Sequence, residues 1–179
     1  MSELLNQCCN FLLSISTRPK NDSTVVDTSS YDIFNSPQHS SFPEIIKKLN
    51  KQLCCSESSN ILAICLIEKL LQKHNDFTLS ENNLNRVFTS AMIIAVQMNE
   101  DDFELSASFA VSLGMSYHSL AQLVMKFFDL IEQNAYVSNE DYLRMCRIVS
   151  NVRNHSSRKH SFDLSEFNQI IISGDSILL

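Results

Sequence analysis

The chain has 179 residues, 44% of them hydrophobic and 19% charged, which suits a single globular domain with a sizeable core. Its net charge of −6 argues against nucleic acid or an anionic membrane as the main partner, because both attract basic proteins. No apolar run is long enough to span a bilayer, and residues 1–16 lack the basic start of a secretory signal, so we expect a cytoplasmic or nuclear protein.

Glycine and proline are scarce, and this favours helices over strands and turns. The two glycines are Gly114 and Gly174, and the three prolines are Pro19, Pro37 and Pro43. Proteins built from strands need more of both residues for their turns. The composition therefore predicts an all-α fold, with long helices from about residue 43 onward.

The first 42 residues are predicted to form a flexible arm, with a short amphipathic helix over residues 2–15. Residues 16–41 are rich in Ser, Thr, Asn, Asp and Pro, and such a composition does not supply a core. Ser36-Pro37 in this arm fits either a site for a proline-directed kinase or an ordinary Ser-Pro turn, and such turns are common in loops.

Two amphipathic helices are predicted next. In the first, Pro43 suits the first turn and Glu44 suits the positive end of the helix. The second begins after Ser58 or Ser59, either of which can serve as its N-cap. Apolar residues follow at helical spacing in both helices: Ile45, Ile46, Leu49 and Leu53 in the first, and Ile61, Leu62, Ile64, Cys65, Leu66, Ile67, Leu70 and Leu71 in the second.

The third predicted helix, over residues 84–98, is apolar on every side. Ser80 can cap it, with Asn83 as a weak substitute for the glutamate of a capping box. A helix without a polar side is buried all round, so this one is predicted to be the centre of a helix bundle. Its apolar residues form one stripe and fill the faces beside it: Leu84, Val87, Phe88, Ala91, Met92, Ala95 and Met98, then Ile93, Ile94 and Val96.

A short helix and a long helix are predicted after the acidic turn that follows residue 98. The short helix covers residues 104–113 and ends at Gly114, which fits the left-handed position after a helix. Ser116 can cap the long helix, over residues 117–133. The apolar stripe of this fifth helix contains Tyr117, Leu120, Leu123, Val124, Phe127, Phe128 and Ile131.

A sixth helix is predicted after Ser138, with Asp141 three residues on in an arrangement like a capping box. We expect the helical domain to span residues 43–153 and a tail to follow over residues 154–179. Basic residues around the end of this helix fit a solvated helix end better than a nucleic-acid surface, because no aromatic residues are interleaved with them. They are Arg144, Arg147, Arg153, Arg158, Lys159 and His160.

The sequence offers no constellation of catalytic or metal-binding residues. The six cysteines include two adjacent pairs and no Cys-x-x-Cys motif, so we expect reduced, partly buried thiols. A thiol–imidazole pair would need Cys146 beside a histidine, and nothing in the sequence brings one there. The acidic residues 100–102 fit a solvated turn between helices better than a metal site. We therefore predict no enzymatic activity, no cofactor and no metal.

The stretch "LNRVFTSAMIIAVQMNEDDFELSASFAVSLGMSYHSLAQLVMKFFDLI", residues 84–131, resembles the cyclin box. Among cyclins, the chain is most similar to the single-box phosphate-pathway type, also called P/U-type cyclins. The resemblance covers about residues 43–150. Its matching positions are Asn85 and Arg86, which stand for the family's His-Arg pair, and Ala91, Ala95, Asp101, Asp102, Ala110, Gly114, Leu123 and Phe127.

The resemblance implies a five-helix bundle around a buried central helix, here with extra flanking helices and the N-terminal arm. It implies a regulatory protein of the cell cycle or of phosphate signalling that performs no catalysis. Such a protein binds a cyclin-dependent protein kinase and positions the kinase's regulatory helix, which controls the lysine–glutamate ion pair needed for phosphoryl transfer. We expect it to be a monomer when alone.

The chain departs from the family at three expected kinase contacts. Gln97 stands where the family usually has a lysine, Val124 where it has a glutamate, and Gln133 where it has an aromatic anchor. With Asp101 and Phe127, these are the candidate partner-binding residues. A glutamine keeps an amide donor without the charge, and valine accepts no hydrogen bond.

Two functions follow from these departures. The first is a divergent cyclin that still binds and positions a kinase through a shifted set of contacts. The alternative is a cyclin-fold adaptor, a pseudo-cyclin, that binds protein partners without activating a kinase. Charge-assisted hydrogen bonds contribute about 1.5–3 kcal/mol each, so their loss is large enough to distinguish a cyclin that activates a kinase from an adaptor that does not.

Overall fold

The computed structural model describes residues 2–16, 31–35, 40–100 and 105–151. In these ranges a short 3-10 helix (Asp32–Phe34) lies between the first two of seven α-helices. The prediction of an all-α fold is confirmed. The α-helices are α1 (Glu3–Ile15), α2 (Phe42–Leu53), α3 (Glu57–Lys73), α4 (Glu81–Asn99), α5 (Ala107–Ser112), α6 (Tyr117–Leu130) and α7 (Asn139–Asn151).

Serine side chains fix the starts of several helices, as the sequence predicted. Ser80 and Asn83 form a capping box at the start of α4, with the Ser80 backbone N–H donating to Asn83 Oδ1 at 2.9 Å. Ser116 accepts from the backbone N–H of Ser119 at the start of α6, at 3.0 Å. The N-cap of α3 is Ser56, so the predictions of Ser58 and Ser59 are wrong by one turn or less.

The central position predicted for the third helix, α4, is confirmed. Every residue from Val87 to Val96 is buried, and α4 packs against α2, α3, α6 and the segment 31–35. Ala91 and Ala95 have no side-chain bulk beyond Cβ and are fully buried, which fits close approach of the neighbouring helices. Met98 was predicted to be in the buried stripe, but it is 51% exposed because it belongs to the last turn of α4, after the buried run has ended.

Helices α3 and α6 both run antiparallel to α4. The start of α3 meets the end of α4, where Ser56 donates to Glu100. The end of α3 meets the end of α6, where His74 Nε2 lies 2.8 Å from the carbonyl oxygen of Leu130. Ser90, in the middle of α4, donates weakly to the carbonyl oxygen of Leu123 in α6 at 3.5 Å. This arrangement brings the end of α4 near the start of α6.

Helices α1 and α7 flank the bundle on the side of α3. Arg144 of α7 forms a two-bonded ion pair with Glu68 of α3, at 2.8 and 2.5 Å, and the Glu68 side chain is almost fully buried. Cys8, Phe11 and Leu12 of α1 are buried in the same core as the bundle. The short helix predicted over residues 2–15 is therefore an integral part of the domain, which begins well before the predicted boundary at residue 43.

The prediction of a flexible arm is wrong for residues 31–35. Phe34 is 0% exposed, with its ring edge-on to Phe127 and Phe77 at centroid distances of 6.5 and 6.3 Å. Arg86 of α4 donates to the carbonyl oxygens of Ile33 and Asn35, at 2.7 and 3.0 Å. The buried aromatic ring and the two hydrogen bonds from the Arg86 side chain to backbone carbonyl oxygens hold this segment against the bundle.

Other predicted features of the arm and tail, including Ser36-Pro37 and residues 154–179, lie outside the described residues.

Candidate partner-binding face

The end of α4 is tied to the start of α3 by a compact network of hydrogen bonds. Glu100 Oε1 accepts from the Ser56 hydroxyl at 2.7 Å, the Ser56 backbone N–H at 2.9 Å and the Ser59 hydroxyl at 3.0 Å. These donors, with Ser56 contributing most, lower the pKa of the Glu100 carboxyl to about 2. Asn99 Nδ2, a donor, lies 2.9, 2.9 and 3.0 Å from the hydroxyl oxygens of Ser56, Ser58 and Ser59. The network fixes the helix turn that carries Gln97.

Gln97 is exposed, in the first turn after the buried part of α4. Its side-chain amide makes no hydrogen bond to another residue in the described ranges, so its donor and acceptor are both available to a partner. Asp101, predicted to contribute to the same face, lies outside the described residues.

On α6, the two predicted contact residues are buried to different degrees. Val124 is 9% exposed, so only an edge of its side chain is accessible. Phe127 is fully buried against Phe34. Its ring has no accessible surface in this structure, and its contact with a partner stays a prediction. Phe127 supports the face from behind.

The turn after α6 is held tightly by α3. Its backbone adopts positive φ at Glu132 and Gln133, 55° and 56°, and the Gln133 N–H donates to the Phe128 carbonyl at 2.8 Å. Lys73 pairs with Glu132, and Lys69 donates to backbone carbonyl oxygens further along the turn. The helix predicted to reach residue 133 ends at Leu130 because of this turn.

Gln133 is exposed, and its side-chain amide donates to Asp129 at 3.2 Å. Since α4 and α6 are antiparallel, Gln97 lies near the start of α6 and Gln133 lies just beyond its end. The 14 residues of α6 separate them by ~20 Å, with Val124 between. The candidate residues therefore mark an elongated face along α6, not one compact cluster.

Sequence reasoning missed a stripe of partly exposed apolar residues along α6. Tyr117 is 49% exposed and Met125 is 58% exposed, while Ala121 and Phe128 are half-buried. Their spacings of four, four and three residues place them on one side of the helix. The sequence had assigned Tyr117 and Phe128 to the core. The signal was the width of the apolar arc, which exceeds what one buried face requires. We call these four residues the α6 stripe.

The cysteines and histidines do not form a reactive pair within the described residues. All six cysteines are free thiols, as predicted, and burial raises the pKa of Cys8 and of Cys65 to about 12, which keeps both protonated. His74 bonds to Tyr31 and to the Leu130 carbonyl, not to a thiol. In the ranges that the structure covers, no three potential ligands are grouped as a metal site would require.

No α-helix among the described residues has both the length and the apolar character needed to cross a membrane.

Comparison with known proteins bears on the whole bundle. A search among curated proteins finds no match. The family model for the cyclin N-terminal domain matches residues 8–149, from the middle of α1 to the last turns of α7. This match covers most of the chain, including α4 and the elements that pack against it. The chain therefore belongs to the cyclin N-terminal domain family.

Proposed function

We propose that this protein is a cyclin-like regulatory subunit that binds a cyclin-dependent protein kinase and positions the kinase's regulatory helix. The observation that carries the proposal is the family match over residues 8–149, which covers all or most of each of the seven described α-helices. A regulatory subunit of this kind contributes binding energy and no chemistry, and we propose no cofactor, no catalytic residue and a monomeric state in the absence of the kinase.

The proposed contact face runs along α6 from the end of α4 to the turn after α6. Gln97 offers an uncharged donor and acceptor at one end, and Gln133 offers an exposed amide at the other. Asp101 belongs to the same proposed face by its sequence position next to the end of α4. Val124 contributes an apolar edge between them. The rigid setting of this face favours the proposal, since a preorganised surface loses little conformational entropy on binding.

The mechanism is positional. Phosphoryl transfer in a protein kinase requires a lysine–glutamate ion pair whose glutamate lies on the regulatory helix. A rigid surface that binds this helix in its active orientation raises the population of the active kinase, and the shift equals the difference in affinity for the two orientations.

We further propose that the chain is a divergent member of the P/U-type cyclins. Asn85 and Arg86 support this assignment. Asn85 donates to the Ser40 carbonyl at 3.0 Å, and Arg86 donates to the carbonyls of Ile33 and Asn35. Both residues at the position of the family's His-Arg pair thus hold the chain segment that precedes α2.

The test uses the full chain and a panel of purified cyclin-dependent kinases from its source cell. Affinity is measured by titration calorimetry, and kinase activity on a peptide substrate is measured with and without the chain. We expect one kinase to bind and its activity to rise at least tenfold. Binding without a rise in activity would support the adaptor alternative. Failure of every kinase to bind at micromolar concentrations would contradict the proposal.

A further inference from the structure

The side chain of His74, the residue that ends α3, joins two other parts of the chain. Its Nε2 lies 2.8 Å from the carbonyl oxygen of Leu130, the last residue of α6, and its Nδ1 lies 3.2 Å from the hydroxyl oxygen of Tyr31. The Tyr31 hydroxyl also lies 3.1 Å from each carboxylate oxygen of Asp76. The segment 31–35, the end of α3, the loop after α3 and the end of α6 are thus connected by one chain of hydrogen bonds.

The positions of the protons in this chain follow from what each group can donate. A carbonyl oxygen only accepts, so Nε2 of His74 carries a proton whenever it is bonded to Leu130. An ionised carboxylate also only accepts, so the bond between Tyr31 and Asp76 uses the single proton of the Tyr31 hydroxyl. Burial, together with the hydrogen bond and the charge of Asp76, raises the pKa of that hydroxyl, which therefore keeps its proton.

These assignments leave Nδ1 of His74 with a partner of its own in only one charge state of the ring. In the neutral ring Nδ1 is an acceptor, and it competes with Asp76 for the one proton of Tyr31. In the imidazolium form Nδ1 carries a proton and donates it to the Tyr31 oxygen, while the Tyr31 proton remains bonded to Asp76. Protonation of His74 therefore gives every donor in the chain its own acceptor.

The neighbouring charges suit a positive ring. The carbonyl of Leu130 lies at the negative end of the α6 dipole. Glu132 is close enough that its pKa is lowered by Lys73 and, to a smaller extent, by His74. Lys73 would repel a positive ring, but it is paired with Glu132. Other charged side chains on the elements that meet here are bonded elsewhere: Asp32 to Asn35, Lys69 to carbonyl oxygens in the turn after α6, Arg86 to the carbonyls of Ile33 and Asn35, and Asp129 to Gln133.

We propose that His74 is a pH-sensitive switch for the attachment of the segment 31–35: protonation of its ring completes the hydrogen bonds through Tyr31 to Asp76 and holds the segment more tightly against the bundle. The bond from Nε2 to Leu130 is present in both charge states, so the end of α6 stays in place while the attachment of the segment changes. Because the protonated form makes the better set of bonds, attachment strengthens as the pH falls through the range of about 8 to 5 in which histidines change charge.

Amide hydrogen exchange of the full chain tests the switch. The backbone N–H groups of Phe34 and Asn35 are hydrogen-bonded within the segment, so their protection factors report its attachment and are corrected for the intrinsic effect of pH on exchange. We expect these factors to be at least about threefold higher at about pH 5.5 than at about pH 7.5 in the unaltered chain.

Two variants should abolish this difference. Tyr31→Phe removes the hydroxyl and keeps the ring, which packs against Phe77 at a centroid distance of 5.0 Å. His74→Gln keeps a neutral side-chain donor for the Leu130 carbonyl and removes the group that titrates. The matched control is His118→Gln, the same substitution at an exposed histidine of α6, and it should keep the full difference.

Three results would overturn the inference: equal protection at the two pH values in the unaltered chain, a full pH difference in either Tyr31→Phe or His74→Gln, or loss of the difference in His118→Gln. Kinase binding does not enter this experiment, so its outcome is independent of the proposed function.

Discussion

At the scale of single residues, Glu100 has the role of a capping group for a helix to which it does not belong. Its carboxylate accepts hydrogen bonds from the backbone N–H of Ser56 and from the hydroxyls of Ser56 and Ser59 at the start of α3, where the helix dipole favours a negative charge. The same bonds hold the end of α4 in place. One carboxylate thus joins two helix ends, and its charge state affects the stability of the fold.

The depressed pKa of Glu100 gives a testable pH dependence. Its folded value of about 2 lies below the ordinary 4.5, so its contribution to stability is fully present above about pH 4.5 and is lost as the pH falls towards 2. We expect Glu100→Gln to lower the urea midpoint at pH 6 and the difference from the unaltered chain to shrink steadily below pH 4.5. Glu57→Gln, which removes an exposed carboxylate one residue from Ser56, is the control and should not show this convergence.

Gln97 and Val124 should respond differently when the family's charged residues are restored. Gln97→Lys places a charge on an exposed side chain and should change the free energy of unfolding by less than about 0.5 kcal/mol. Val124→Glu partly buries a carboxylate and should cost about 2 kcal/mol. Chemical denaturation of the two single variants measures both. Equal costs would show that Val124 is as accessible as Gln97, contrary to its 9% exposure.

At the scale of elements, the segment 31–35 is packed against the bundle, although it lies within a region that the sequence assigned to a flexible arm. The composition of residues 16–41 as a whole is polar, and this average was the basis of that prediction. Two local features outweigh it: Phe34 enters the core, and Arg86 reaches from α4 to two of its carbonyl oxygens. The hydroxyl of Tyr31 adds one hydrogen bond shared between the two carboxylate oxygens of Asp76, each 3.1 Å away.

Removing the Phe34 ring should free this segment. We expect Phe34→Ala to lower the free energy of unfolding by about 3 kcal/mol, since it deletes a fully buried aromatic side chain. We also expect faster amide hydrogen exchange over residues 31–35. Ile33→Ala, at a half-buried neighbour, should cost less than half as much. Unchanged exchange in Phe34→Ala would show that the hydrogen bonds from Arg86 hold the segment without the ring.

At the scale of the whole molecule, the sequence predicted the all-α class and the central helix because both depend on local patterns. A run from Val87 to Val96 without a polar face has few alternatives to complete burial. The burial of Phe127 and the exposure of Tyr117 were not predictable in the same way, since both lie in one apolar arc of α6. Which part of a wide arc faces the core depends on the helices packed against it, and these contacts are set by the tertiary structure.

Charge placed in the centre of α4 should unfold the entire domain. Ala95 is fully buried and borders neighbouring helices, so Ala95→Asp would bury an unpaired carboxylate at a cost of several kcal/mol, comparable to the total stability of a typical domain. Circular dichroism should show loss of the cooperative thermal transition. Gln97→Asp introduces the same side chain two residues later at an exposed position and should melt normally. A normal melt of Ala95→Asp would contradict the central position of α4.

Helix α3 contacts both ends of the proposed contact face and so fixes their relative position. Its first turn holds Glu100 at the end of α4, and its last turn, through Lys73 and His74, holds the turn after α6. The 17 residues of α3 set the distance between these two ends at ~25 Å, and each residue also fixes ~100° of rotation. Inserting or deleting one residue within α3 would therefore rotate one end of the face relative to the other while leaving every residue on that face unchanged.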